Sequence, residues 1–175
     1  MLEYNELEIL IEEITEKITR EIIMANRTGN LNEVLKKYGL DESITSDENL
    51  LLNMNKAKIL LIGNTETKVS DLMKAAKYMG IDAEKIEYFL DYEKITNFNF
   101  GKLRYSTVYS DILVGPIPHK VKGIEENSSL IVMIESNQEE FPKLTKVMSE
   151  GELKISKNSF QKALQNTRLY RDLIA

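Results

Sequence analysis

Lys58 opens the run KILLIG, four aliphatic residues closed by Gly63. The run is too short for a buried helix and lacks the alternation of a half-exposed strand, so it suits a strand covered on both faces. TKVSDLMKAAKYMG follows, with Val69, Leu72, Met73, Ala76 and Met79 at helical spacing and Gly80 as a stop. KIEYFLD (85–91) and SDILVG (110–115) repeat the strand signal. NSSLIVMIESN (127–137) is ambiguous by periodicity and is read as helix, because a crossover is needed before KLTKVMS, the strand candidate just after Pro142. GELKIS (151–156) is expected as a short fifth strand, and KNSFQKALQNTRLYRDLI (157–174) as one terminal helix. This alternation predicts an α/β fold: a small parallel sheet of four or five strands, flanked by helices and joined by right-handed crossovers.

The first 55 residues have another character. In NELEILIEEITEKITREIIMANR, Leu7, Ile11, Ile14, Ile18 and Ile22 form one stripe of an amphipathic helix, widened by Leu10 and Ile23 and broken at Gly29-Asn30. LNEVLKKYGL reads as a second, short helix, and DESITSDENLLLNMN as a polar, acidic linker. The division expected is therefore an acidic helical appendage over 1–55 and an α/β domain over 56–175. The stripe needs a partner surface: it either docks on the α/β domain or pairs with a second copy, and a homodimer is expected.

Charge and composition narrow the chemistry. Residues 1–55 carry 12 acidic and 5 basic side chains, a net of −7, while residues 56–175 carry 16 and 18, a net of +2. An acidic appendage argues against extended nucleic-acid binding. With no cysteine, disulfides and thiolate chemistry are excluded, and a single histidine argues against a histidine-rich metal site. No apolar run has the length of a membrane span and no secretory leader pattern opens the chain, so a cytoplasmic protein with no membrane partner is expected. No cofactor motif is present.

In an open α/β sheet, ligands bind beyond the carboxyl ends of the strands. The residues falling there are Gly63, Asn64 and Thr65 after the first strand, Asp91 and Tyr92 after the second, and Gly115, His119 and Lys120 after the third. Ser149, and then Ser156, Lys157 and Asn158, follow the later strands. DILVGPIPHKVKG is the most suggestive stretch: Pro116 and Pro118 fix two backbone angles ahead of the only histidine and two lysines. Such a loop can clamp a phosphate or carboxylate, with Arg104 or Lys157 arriving from neighbouring loops; it can equally be a surface turn. The turn IGNTETKVS lacks both G-x-G-x-x-G and G-x-x-x-x-G-K-[ST], so no dinucleotide or P-loop function follows. Its helix-entry amides can receive an anion, or Thr65 or Thr67 simply caps the helix.

Catalysis would fall to His119 as acid or base, with Ser106, Ser110 or Ser149 as nucleophile and Asp91 or Asp111 orienting it. None of these serines lies in a G-x-S-x-G context. A metal site of Asp91, Asp111 and His119 is a weaker alternative. Segment 91–109 is long for a connection and holds Tyr92, Phe98, Phe100, Tyr105 and Tyr109; it is expected to be a lid or to pack into the core.

From about residue 57 to 174 the chain resembles the small Rossmann-like domains of uncharacterised bacterial families. The resemblance rests on the strand–Gly–helix opening and on the exit K-I-S-x-x-S-F-x-x-A-L, Lys154 to Leu164. It implies a fold and a place for the site, with no activity attached. The expected function is a non-catalytic binding or sensing module for a small anionic ligand such as a nucleotide or phosphorylated metabolite. Its contacts are Gly63, Asn64, Thr65, Asp91, Arg104, Gly115, His119, Lys120, Ser156 and Lys157. A hydrolase of such a compound and a protein-interaction adaptor are the alternatives.

Overall fold

The computed structural model describes residues 3–40, 57–118 and 130–174. The chain divides into two compact units, residues 1–50 and 51–175. The boundary expected at 55/56 and the acidic linker before it lie outside the described residues.

In the first unit, α1 (Tyr4–Thr28) and α2 (Leu31–Lys37) form a helical hairpin. Glu3 and Glu6 build a reciprocal capping box at the start of α1. At its end Gly29, with φ +83°, takes the left-handed conformation and donates its N–H to the Ala25 carbonyl. Where α2 folds back, Ala25 and Leu35 are buried, and Glu21 accepts from Lys37 Nζ and Tyr38 Oη, both at 2.7 Å. These two donors hold the Glu21 carboxyl below its ordinary pKa, the lysine contributing most.

In the second unit, four strands among the described residues make one all-parallel sheet: β1 (Lys58–Ile62), β2 (Ile86–Phe89), β3 (Tyr109–Val114) and β4 (Lys143–Lys146). Their spatial order is β2-β1-β3-β4, so the chain reverses direction across the sheet between β1 and β3. Every residue from Ile59 to Ile62 is fully buried, as a strand covered on both faces requires.

Two cores follow from the alternation of β1 and β3. Ile59, Leu61 and Leu113 face α3 (Val69–Tyr78), α6 (Lys157–Gln165) and α7 (Arg168–Ile174) through Leu72, Ala76, Phe160, Leu164 and Leu169. Leu60, Ile62, Ile112 and Val114 face α4 (Tyr92–Asn97), a 3₁₀ turn over Phe100–Leu103, and α5 (Leu130–Ser136). The result is a three-layer α/β fold of the small Rossmann-like kind.

Two local expectations are corrected. Residues 151–156 do not add a fifth strand to the sheet. Instead β5 (Met148–Ser149) and β6 (Glu152–Leu153) form a separate antiparallel hairpin across Glu150 and Gly151, both at positive φ. The terminal helix is two helices, because the Thr167 hydroxyl donates to the Leu164 carbonyl (2.6 Å) and accepts from the Tyr170 amide (3.2 Å), ending one helix and starting the next.

Candidate functional site

Because all four strands run parallel, the turns after β1, β2 and β3 share one edge of the sheet. The turns after β1 and β3 meet where the strand order reverses. A β-carbon on Gly63, whose φ is +147°, would lie 2.8 Å from the Gly115 Cα and 2.9 Å from Ile155 Cδ1. One on Gly115 would lie 2.6 Å from the same Ile155 atom. The Asn64 amide then donates to the Pro116 carbonyl at 2.6 Å. The β5–β6 hairpin returns the chain so that Ile155 drops over both glycines, and the Ile155 carbonyl accepts from Thr65 Oγ1 (2.8 Å) and Thr67 Oγ1 (3.2 Å). The turns carrying Gly63, Asn64, Thr65 and Gly115 therefore meet beneath Ile155, with Ser156 and Lys157 next in the chain, at the position of the switch-point crevice of such folds.

The hydrogen bonding limits what this crevice offers. The Gly63 amide is spent on the Phe89 carbonyl, that of Gly115 on Ile62, and that of Thr67 on Thr65 Oγ1. The first turn is thus braced by its own bonds. Neither threonine caps α3: its N-cap is Lys68, with no side-chain cap bond, because both hydroxyls are turned onto Ile155. Ser156 caps α6 in a reciprocal box with Ser159, whose hydroxyl also donates to the Lys154 carbonyl at 2.6 Å. The groups that face solvent here are the exposed side chains of Asn64, Glu66 and Lys68 in the first turn and of Lys154, Lys157 and Asn158 at the exit, so the cations share this rim with one carboxylate. Lys68 and Ile155 were not singled out from sequence. Lys68 lies in the turn IGNTETKVS, of which only Gly63, Asn64, Thr65 and Thr67 were weighed, whereas Ile155 belongs to the K-I-S exit, where its apolar side chain between polar neighbours was the available signal.

His119 and Lys120 lie outside the described residues, as does Lys122. The described chain reaches Pro118, with Ile117 packed into the second core. Asp91 sits at the carboxyl end of β2 but acts locally: its Oδ1 accepts from the Lys94 amide (2.8 Å) and its Oδ2 pairs with Lys94 Nζ (3.0 Å). The backbone bond first, and the lysine side chain second, lower its pKa. Asp91 borders an open groove of about 900 Å³ beside β2, lined also by Phe89, Lys94, Asn97, Phe98 and Lys102.

No protein-family model, curated protein or solved structure matches the chain.

Arg104 does not join the crevice. It lies before β3, its Nε 3.0 Å from Glu140 Oε2 and its guanidinium over the Phe141 ring, and Glu140 and Phe141 lead into β4. That is the amino edge of the sheet. Asp111 also belongs to that end, which removes it from Asp91 and from any shared metal or catalytic arrangement. It is fully buried, accepting from the Arg168 amide (2.9 Å), the Leu169 amide (3.4 Å) and Ser110 Oγ (2.8 Å), so it caps α7 from the amino half of the inner strand β3. Ser106 precedes β3 and Ser110 is its second residue, so both are separated from the carboxyl edge by most of the strand's length. Beside Asp111, Lys143 donates to the Asn166 carbonyl; burial foremost, then Arg171, lowers its pKa.

The aromatic segment packs. Phe100 and Leu103 are fully buried, and Phe98 stacks between Phe89 (centroids 4.6 Å apart) and Phe100 (4.9 Å). Of the five aromatics, Tyr92 is the exposed one. Residues 91–109 thus close one face of the sheet, filling the crossover from β2 to β3.

Proposed function

We propose that the protein binds a small anionic ligand, a nucleotide or another phosphorylated metabolite, in the crevice above β1 and β3, without chemical conversion. One observation carries this reading: the turns after β1 and β3 and the K-I-S exit converge on Gly63, Gly115 and Ile155, at the reversal point of an open parallel sheet, where such folds seat ligands. With the first turn's amides largely committed, the charge complement rests on side chains. Lys157 and Lys68 supply cations beside the exposed Glu66, and the described proline-braced segment ends at Pro118, immediately before His119-Lys120 in the sequence. The groove beside β2 lies one strand away and has the size of a small-molecule site.

Thermal melting of the full chain against nucleotides, phosphorylated metabolites and inorganic phosphate tests the proposal. A ligand at one hundred times its Kd should raise Tm by about 5–10 °C. Lys157→Glu and Lys120→Ala should each shrink that rise, and the best ligand should be recovered unchanged after long incubation. No rise across the panel at millimolar concentration would remove the reading. Conversion of the ligand, lost in His119→Ala, would replace it with the hydrolase alternative.

A further inference from the structure

α1 carries more apolar surface than α2 can cover. The stripe through Leu7, Ile11, Ile14 and Ile18 continues into the face that packs on α2, where Ala25 is buried at 5% exposure. Toward the amino end no described residue of the helical unit covers it: Leu7 is 44% exposed, Leu10 40%, Ile11 55% and Ile14 46%. At about 1.5 Å per residue, Leu7 to Ile14 spans about 10 Å, two helical turns of uninterrupted aliphatic surface. A helix with such a face needs a second surface to bury it.

Charge along α1 selects the partner and its direction. Residues 3–16 contain Glu3, Glu6, Glu8, Glu12, Glu13 and Glu16 and no base; the cations begin at Lys17. Two copies side by side in parallel would align these acidic stretches along their whole length. Turned antiparallel about a two-fold axis between Leu10 and Ile11, Leu7 of each copy faces Ile14 of the other. Lys17 and Glu6 flank the stripe on the same side, as the 100° step of a helix dictates, so Lys17 then falls between Glu3 and Glu6 of the partner helix. The partner's acidic amino end also extends toward the end of α2 that carries Lys36 and Lys37. An isologous contact of this kind closes on itself and leaves no open end.

We infer that α1 is a self-association surface and that two copies pair antiparallel through Leu7, Leu10, Ile11 and Ile14. The inference stands independently of the ligand reading, because it rests on the helical unit alone.

Sedimentation equilibrium of the full chain, 20.1 kDa as a monomer, tests the association. A dimer that Ile11→Lys dissociates at least tenfold more readily is expected. Since Ile11 is half-exposed, circular dichroism should show the helices intact in that variant. The absence of cysteine makes the orientation directly readable. Oxidising a mixture of Leu7→Cys and Ile14→Cys chains should give the mixed disulfide, with little Leu7→Cys homodimer. Glu6→Lys should weaken pairing and the double change Glu6→Lys/Lys17→Glu should restore it. A monomer at every concentration overturns the inference, including one whose Tm falls with Ile11→Lys, which would place the face on another part of the same chain. Predominant Leu7-to-Leu7 cross-linking overturns the antiparallel arrangement.

Discussion

Gly115 and Gly63 are both required to be small, for different reasons, and substitution separates them. Alanine at Gly115 presses on the flexible Ile155 side chain. Alanine at Gly63 presses on the Gly115 backbone and must also hold φ +147°. Gly115→Ala should cost about 1–3 kcal/mol, as overpacking does, and Ile155→Ala in the same chain should recover part of that loss. Gly63→Ala should cost more and recover a smaller share from Ile155→Ala, because the Gly115 backbone and the positive φ still oppose it. Denaturant titration of the three single and two double variants, as two double-mutant cycles sharing Ile155→Ala, measures both couplings, and equal rescue at the two glycines would contradict this packing. Tyr109 offers a pH test. Burial first, then its hydrogen bond to Glu87, pushes its phenol up to about 12 from the ordinary 10. The folded state therefore holds this proton more tightly than the unfolded chain does. The stabilisation is complete below pH 10 and is lost as pH rises from 10 through 12. Tyr109→Phe should flatten that part of the stability profile and leave its slope near pH 7 unchanged.

Elements governed by local chemistry were legible in the residues. β1 and β3 announced themselves as short apolar runs ended by glycine, and α3 as a stripe halted at Gly80. The α5 assignment came from topology, since a parallel strand cannot follow another without a crossover. Where tertiary contacts decide, the sequence pattern misled. In KNSFQKALQNTRLYRDLI the only local mark of the break is Asn166-Thr167, and what completes it is Asp111, more than fifty residues away, receiving the Arg168 and Leu169 amides. The hairpin at Glu150-Gly151 was missed because its two positive-φ positions begin with glutamate, whereas the familiar signal is Asn-Gly or Asp-Gly. The candidate site divides likewise: Gly63, Asn64, Thr65 and Gly115 follow from parallel strands, Ser156 and Lys157 arrive through the separate β5–β6 hairpin, and Arg104 lies at the other edge, since position in the chain does not reveal which edge of the sheet a loop occupies. The α6 cap is the element most open to test. Ser156→Ala removes an acceptor for the Ser159 amide and should cost about 1 kcal/mol in chemical denaturation. A loss above about 3 kcal/mol would mean that Ser156 holds more than a helix end.

Each of the two units has its own source of stability. All members of the two large cores lie between Ile59 and Leu169. A fragment beginning at residue 51 should therefore keep a single cooperative melt, with Tm within a few degrees of the full chain, and lose only the helical signal of α1 and α2. Near-UV circular dichroism of the tyrosines reports this directly, and a fragment lacking a melting transition would refute it. Within that unit, the buried Asp111 imposes an order on synthesis. Its carboxyl group sits in the amino half of the inner strand β3, but the two amides that hydrogen-bond it belong to residues 168 and 169. While a ribosome still shelters those residues, β3 carries an uncompensated negative charge that resists being sealed from water. The nascent sheet should then stay loose and chaperone-accessible, tightening in one late step when α7 emerges.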